Sequence, residues 1–294
     1  MTGWAQRRGI PAYSPMGTLQ VGRLRLELGR RTYTMGILNV TPDSFAGDGV
    51  MELEAALTRG RMLAAEGADI LDVGGESTRH GAEPVPLAEE LRRVIPLITR
   101  LVGELGAVVS VDTTKPEVAR QALRAGAAMI NDVSALRGDP QMAMVVAEAQ
   151  VPVVIMHGWG MPWRIPQNSV SRDILHEVRA FLTERIEAAV AVGIALDRIL
   201  IDPGFGFSKT VQENLEILRR LGELRALGRP IVIGTSRKGT IGKVLGGLPV
   251  NERLEGTAAT VALAIAQGAD IVRVHDVQSM VRVARMSDAI LRNA

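Results

Sequence analysis

The sequence contains no cysteine, which excludes disulfides, thiolate nucleophiles and thiolate metal sites and suits a reducing cytoplasm. It has no run of about 18 apolar residues, the length a membrane-spanning helix needs. The opening MTGWAQRRGIPAYSPMGT carries basic residues but no apolar stretch behind them, so it does not read as a secretory signal. Charge of one sign is also lacking. With 34 basic against 32 acidic residues the net charge is +2, and no basic tract is concentrated enough to favour nucleic acid as a partner. Aromatics make up 3% of the chain, and of 34 basic residues only four are lysine.

What the chain does have is length and apolar content: 294 residues, 47% hydrophobic, enough for one large α/β domain or two smaller ones. Short Val/Ile/Leu/Met runs alternate with longer segments of helical period. Eight runs are of strand length: 34–38, 69–73, 107–111, 127–131, 152–156, 198–202, 230–234 and 270–274. Near-continuous apolar strands imply a sheet covered on both faces, hence a parallel one. The stretches AAEGADILDV, LRAGAAMINDV, AVGIALDRILID, RALGRPIVIG and AIAQGADIVRV each close a helix on glycine and pass directly into a strand. Eight such βα units predict a (β/α)8 TIM barrel. LQVGRLRLELGRR alternates apolar and polar residues and predicts an N-terminal β-hairpin capping the barrel's lower end. Residues 1–18 are expected to be a poorly ordered extension and 19–294 a single domain. A doubly wound nucleotide fold is disfavoured, because neither GFGFSK nor GTSRKGTIG completes a phosphate-binding glycine motif.

In a TIM barrel, chemistry collects where strands end. Here the strands deliver Asn39, then DVGGESTRHG, Asp112, Asn131 with Asp132, Met156 with His157, Asp202, TSRK, and finally Arg273 with His275. A lone Asp or Asn after a strand is ordinarily a turn former or helix cap, and Asp112 and Asp132 each admit that reading. So many acids, amides and cations on one rim exceed what capping requires. Three of the four phenylalanines, Phe45, Phe205 and Phe207, lie in the loops after the first and sixth strands, as loop anchors or as a floor for a flat substrate. Lys209 and Lys238 follow the sixth and seventh strands as compact donors. Carboxylates and an amide suit a ring rich in N–H donors, and a guanidinium suits a ring face or an anion. The pocket is written for a flat heterocycle with an anionic tail. Arg273 and His275, on the last strand, are expected at the rim without a buried salt bridge.

The motifs MGILNVTPDSF, DVGGESTRHG, SVDT, INDV, DPGFGFSK, TSRK and RVHDV, in that order over residues 33 to 280, closely resemble those of the dihydropteroate synthase family. The resemblance implies condensation of 7,8-dihydropterin-6-ylmethyl diphosphate with p-aminobenzoate, giving 7,8-dihydropteroate and diphosphate in folate synthesis. It implies pterin binding by Asp112, Asn131, Met156, Asp202, Phe207, Lys238 and Arg273. It implies diphosphate binding by Asn39, Arg273 and His275, with Asn39 as the ligand of Mg2+. Phe45, Thr78, Arg79, Ser236 and Lys238 would shape the p-aminobenzoate pocket, the sulfonamide target in this family. Asn39, Asp43, Lys238, Arg273 and His275 would carry catalysis, and the loops bearing Asp43 to Phe45 and Thr78 with Arg79 would close over the site. The resemblance also implies a homodimer acting on small molecules, while the cysteine, charge and hydropathy readings add the expectation of a cytoplasmic setting with no nucleic acid or membrane partner.

Three positions depart from the family pattern: His80 where proline is usual, SFAGDG for SFSDGG, and Ser208 where glycine is common. Two other readings compete with the synthase. One is a pterin-binding methyltransferase domain, which would not be expected to combine NVTPDSF, TSRK and RVHDV. The other is a catalytically silent paralogue, which intact Asn39, Lys238 and Arg273 oppose. His157 reads equally as a ligand or as a strand-end residue bonded to a loop, His176 as surface, and Trp159 and Trp163 as self-packing loop aromatics.

Overall fold

All eight apolar runs form strands. In a computed structural model, which describes residues 17–40, 49–77, 83–158 and 173–292 with the backbone alone at 49–51, the chain opens with β1 (Gly17–Val21) and β2 (Leu24–Leu28). The barrel strands follow: β3 (Tyr33–Asn39), β4 (Ile70–Gly74), β5 (Val109–Asp112), β6 (Met129–Asp132), β7 (Val153–Met156), β8 (Ile199–Asp202), β9 (Val232–Ile233) and β10 (Ile271–Val274). All are parallel and pair in chain order, and β10 lies between β3 and β9. The ring closes through a bridge from Ile201 to Ile231, with the Ile201 N–H donating to Pro230 O at 2.9 Å. Closure removes every free edge, so the expected TIM barrel forms.

Between the strands run α1 (Gly49–Ala65), α2 (Leu87–Leu105), α3 (Pro116–Arg124), α4 (Gln141–Ala149), α5 (Ile174–Ala191), α6 (Val211–Arg220), α7 (Gly239–Val244), α8 (Leu254–Ala266) and α9 (Val277–Leu291). The glycines of the five repeats, Gly67, Gly126, Gly193, Gly228 and Gly268, all have φ between 65° and 105°. A side chain would be strained there, so each repeat glycine ends its helix as read. Among the described residues no helix is long and apolar enough to cross a membrane.

Two apolar layers hold the barrel. Outward-facing Leu71, Val111, Ile130, Ile155 and Val272 pack with helix residues such as Leu57, Leu97 and Ile217. Inward-facing Met35, Ile70, Met129, Val154, Leu200 and Ile271 fill the lower interior together with Leu19, Val21, Leu26 and Leu28 of the hairpin. The antiparallel hairpin therefore plugs the barrel floor, as its alternating pattern suggests. It begins at Gly17, so residues 17 and 18 belong to the hairpin and not to the extension expected over 1–18. Residues 1–16 lie outside those described.

Candidate active site

Alternation along each strand decides which side chains reach the mouth. In β4, Ile70 belongs to the lower interior while Leu71 and Val73 face the helices, so Asp72 points inward one step higher. The same parity brings Asp112 inward from β5, Asn131 from β6, Met156 from β7, Asp202 from β8 and Arg273 from β10. An apolar lower storey thus carries a polar upper one at the strand C-termini. Asn39 ends β3 opposite Gly74. A Cβ at Gly74 would lie 3.4 Å from Asp112 Cβ and 3.5 Å from Asn39 Oδ1, so these two side chains flank that glycine at the mouth.

One hydrogen-bonded network joins four of the strands. Arg273 Nε donates to Asp72 Oδ2 and its Nη2 to Asp112 Oδ2, each at 2.6 Å. Asn131 Nδ2 donates to the same Asp72 oxygen at 3.0 Å. Asp72 is 0% exposed and Asp112 7%. The expectation that Arg273 needs no buried salt bridge is therefore wrong: it makes two. Its partner Asp72 sits inside an apolar strand and is not among the residues expected at the mouth. Its signal was the only carboxylate at an inward position of that run.

The loops after β8 and β9 bring the remaining groups. Phe207 packs with Met156 and Val133 at the mouth, and Lys238 Nζ lies 3.8 Å from its ring centroid. A Cβ at Gly206 would meet the Lys238 stem at 2.9 Å, so the glycine makes that approach possible. Phe205, 1% exposed, anchors the loop in the core. The anchor reading therefore holds for Phe205, while Phe207 is only partly buried, in a floor-like position at the mouth. Lys209 is buried and donates to His157 O, Gly204 O and Phe207 O at 3.3, 2.9 and 3.2 Å. It ties the β8 loop to the end of β7.

Ser236 is buried, and its Oγ accepts from the His275 backbone N–H at 3.1 Å and lies 3.0 Å from His275 Nδ1. Between Ser236 and Lys238, Arg237 adopts a left-handed φ of 56°. Its Nε donates to Asp276 Oδ2 at 2.9 Å, and Arg253 Nη1 donates to Arg237 O at the same distance. The β9 and β10 loops are thus stapled together, which holds Ser236 against His275 and sends Lys238 toward Phe207.

Burial dominates the electrostatics. It pushes the Asp112 carboxyl up to about 7, with Arg273 pulling the other way and Asp72 adding to the rise. Asp202 is also raised by burial, against the Gly204 N–H and the charges of Lys238, Lys209 and Arg273. Burial alone would lower Arg273, but Asp72 and Asp112 raise it above its ordinary value. Burial lowers Lys209 to about 7. It also lowers His275 to about 3, assisted by Arg273 and Arg237, so His275 is a neutral imidazole near pH 7. Such a mouth can accept N–H groups of a ring on carboxylates, offer an apolar floor beside them, and meet an anion with Arg273 and Lys238.

The structure thus brings together Asn39, Asp112, Asn131, Met156, Asp202, Phe207, Ser236, Lys238, Arg273 and His275. Asp43, Ser44, Phe45, Thr78, Arg79, His80, Trp159 and Trp163 lie outside the described residues. Asp132 keeps its bland role: its carboxylate caps the turn after β6, accepting from Ser134 N and Leu136 N at 2.8 Å each. His157 is 0% exposed and meets Phe181 edge-on at 4.9 Å, and burial lowers its pKa to about 2. His176 is exposed on α5. Among the described residues no group of three or more His, Asp or Glu could hold a metal ion.

Comparison with known proteins agrees with this geometry. The pattern of the pterin binding enzyme family matches residues 35–275. The dihydropteroate synthase of Synechocystis sp. is 45% identical over 275 residues, covering 93% of this chain and 95% of that one. Dihydropteroate synthase from Xanthomonas albilineans, solved with 4-aminobenzoic acid, superposes with a TM-score of 0.87 at 47% identity, covering 95% and 99% of the two chains. The same enzyme in complex with 7,8-dihydropteroate gives 0.84 at 45% identity over 94% and 99%. With its barrel mouth lying inside the matched span, the chain belongs to the pterin binding enzyme family.

Proposed function

We propose that this chain is a dihydropteroate synthase, a transferase that condenses (7,8-dihydropterin-6-yl)methyl diphosphate with p-aminobenzoate. The observation that carries this reading is the convergence of Asp112, Asn131, Asp202, Lys238 and Arg273 at one mouth, in a fold shared with relatives solved with p-aminobenzoate and dihydropteroate. Curated relatives covering most of the chain carry the same name, which leaves the methyltransferase alternative without support.

Asp112, Asn131, Asp202 and Lys238 hold the pterin, Met156 and Phe207 line its face, and Arg273 stacks on it while meeting the diphosphate together with Asn39 and His275. The C–O bond breaks first and its electron pair departs with diphosphate, leaving a methylene cation delocalised into the ring beside the carboxylates. The amine lone pair of p-aminobenzoate then forms the C–N bond, and the amine proton goes to solvent. This order asks for positioning of a weak nucleophile and not for a strong base. Neutral His275, set by Ser236, meets the diphosphate as a hydrogen-bonding group. The p-aminobenzoate is placed by Ser236 and Lys238 together with the loops carrying Asp43, Phe45, Thr78 and Arg79.

Asn39 offers one hard carbonyl oxygen at the mouth, which suits Mg2+ held mainly by diphosphate oxygens and water. Bound there, the ion would supply Lewis-acid stabilisation of the leaving group. We further propose a cytoplasmic homodimer joined through α8 and α9, whose outer faces leave Leu263, Met286 and Ile290 at least 60% exposed. Sedimentation of the wild type and of Leu263→Glu tests the dimer: a monomeric wild type would refute it.

The function is tested by incubating the protein with Mg2+ and both substrates and following dihydropteroate and diphosphate release. Equimolar products are expected, and absence of turnover would revive a silent paralogue.

A further inference from the structure

Asp72 stands one storey above an apolar floor, between Ile70 and the helix-facing Leu71 and Val73. A carboxylate buried among such neighbours is rarely there for stability, since well-packed apolar residues serve that end as well or better. Its bonds point elsewhere. Oδ2 accepts from Arg273 Nε at 2.6 Å and from Asn131 Nδ2 at 3.0 Å, while Oδ1 has no hydrogen-bond partner among the described residues. Among the described residues, every hydrogen bond this side chain makes is therefore to a residue of the mouth.

Resting on the pterin reading above, we propose that Asp72 is a positioning residue that orients Arg273 and Asn131 together for the pterin ring. An asparagine amide can present either its oxygen or its nitrogen. A neighbour that only accepts removes the choice: one Asn131 N–H must face Asp72, leaving Oδ1 and the second N–H for the ring edge. The guanidinium is fixed in the same way. With Nε on Asp72 and Nη2 on Asp112, two acceptors on adjacent strands define its plane, so it cannot turn without releasing one of them. Asp72 touches no part of the substrate in this arrangement; it acts through β6 and β10.

The test is Asp72→Asn, which keeps the volume and removes the charge. The expected result is a KM for the pterin diphosphate raised about tenfold or more, as losing charge-assisted bonds implies, with the KM for p-aminobenzoate within about twofold of wild type. Asn131→Ala should then weaken pterin binding far less in the Asp72→Asn background than in the wild type, because the two residues act as a unit. A merely structural role would reduce the folded fraction and the apparent kcat and leave both KM values alone. Unchanged pterin KM in folded Asp72→Asn, or additive effects in the double variant, would overturn the proposal. Should Asp72→Asn fail to fold, the wild-type protein decides. One Asn131 carboxamide proton should be downfield and slow to exchange, and rapid exchange of both would overturn the proposal. Wild-type binding of the pterin diphosphate is the control, since its failure refutes the function and not the role of Asp72 alone.

Discussion

Ser208 stands where φ is 50°, in the left-handed region that glycine adopts without strain. The glycine expected at that point of GFSK from the family resemblance would carry no such strain. A non-glycine residue there costs about 1–2 kcal/mol, partly offset by the extra chain entropy glycine loses on folding. Ser208→Gly should therefore stabilise the protein by roughly 0.5–1 kcal/mol, or about 1–4 °C in Tm. Thermal unfolding checks it, and a lower Tm would mean that the contacts of the Ser208 side chain outweigh the strain. Asp112 offers a second test. Its carboxyl is raised by burial from 3.8 to about 7, so the ligand-free fold binds that proton more tightly than the unfolded chain. The associated stability is present below about pH 4 and is lost as pH rises to about 7. Asp112→Asn should flatten that decline in pH-dependent unfolding. Under the proposed function, in which the carboxylate accepts from the pterin, pterin affinity should rise through about pH 7 in the wild type only. Asp112 and Asp132 show where sequence stops helping. Both end apolar runs and both admit a capping role, yet Asn131 shares the inward face of Met129 and Asp132 does not. Near-continuous apolar strands conceal that parity, because both faces are equally apolar.

At the scale of elements, what was legible was what local pattern encodes. The glycine-closed repeats located the strands, and alternation located the hairpin. The two-residue ladder of β9 was not legible within PIVIG, because Pro230 has no N–H to give and joins the sheet only through its carbonyl. The partnership of Asp72 with Arg273, 201 residues apart, was hidden for a different reason: only the pairing of the last strand with the first barrel strand sets β4 and β10 on either side of β3. The hairpin yields a prediction that separates stability from chemistry. Leu26 is 0% exposed and fills the barrel floor with Met35, Ile70 and Ile271. Leu26→Ala should cost about 2–5 kcal/mol, read by denaturant unfolding. Both KM values should stay within about twofold, because the polar storey lies at the other end of the strands. A large KM change would show that the floor and the mouth are coupled.

For the whole molecule, one barrel holds an apolar storey below and a charged one above, and the charged storey is incomplete on its own. Asp72, Asp112 and Asp202 gather around Arg273 and Lys238 in a space largely removed from water, and burial shifts Asp112 and Asp202 toward their neutral forms. A ring that donates N–H groups to Asp112 and Asp202, carrying an anionic tail toward Arg273 and His275, would offset much of that desolvation. The pterin diphosphate should therefore stabilise the fold strongly: at about 100 times its Kd, mass action alone contributes about 2.7 kcal/mol, a rise of roughly 5–10 °C in Tm for a domain of this size. p-Aminobenzoate has a single carboxylate and no edge to match the buried acids. Under the proposed function its pocket draws on Ser236 and Lys238, and His275, which Ser236 holds, answers to the diphosphate. Alone it should shift Tm by less than about 1 °C, and with Mg2+ and diphosphate present it should add a shift of its own. Thermal scans of the protein with each ligand singly and together decide the matter. A shift from p-aminobenzoate that is the same with and without diphosphate would mean that the two halves of the mouth form independently and that binding has no order.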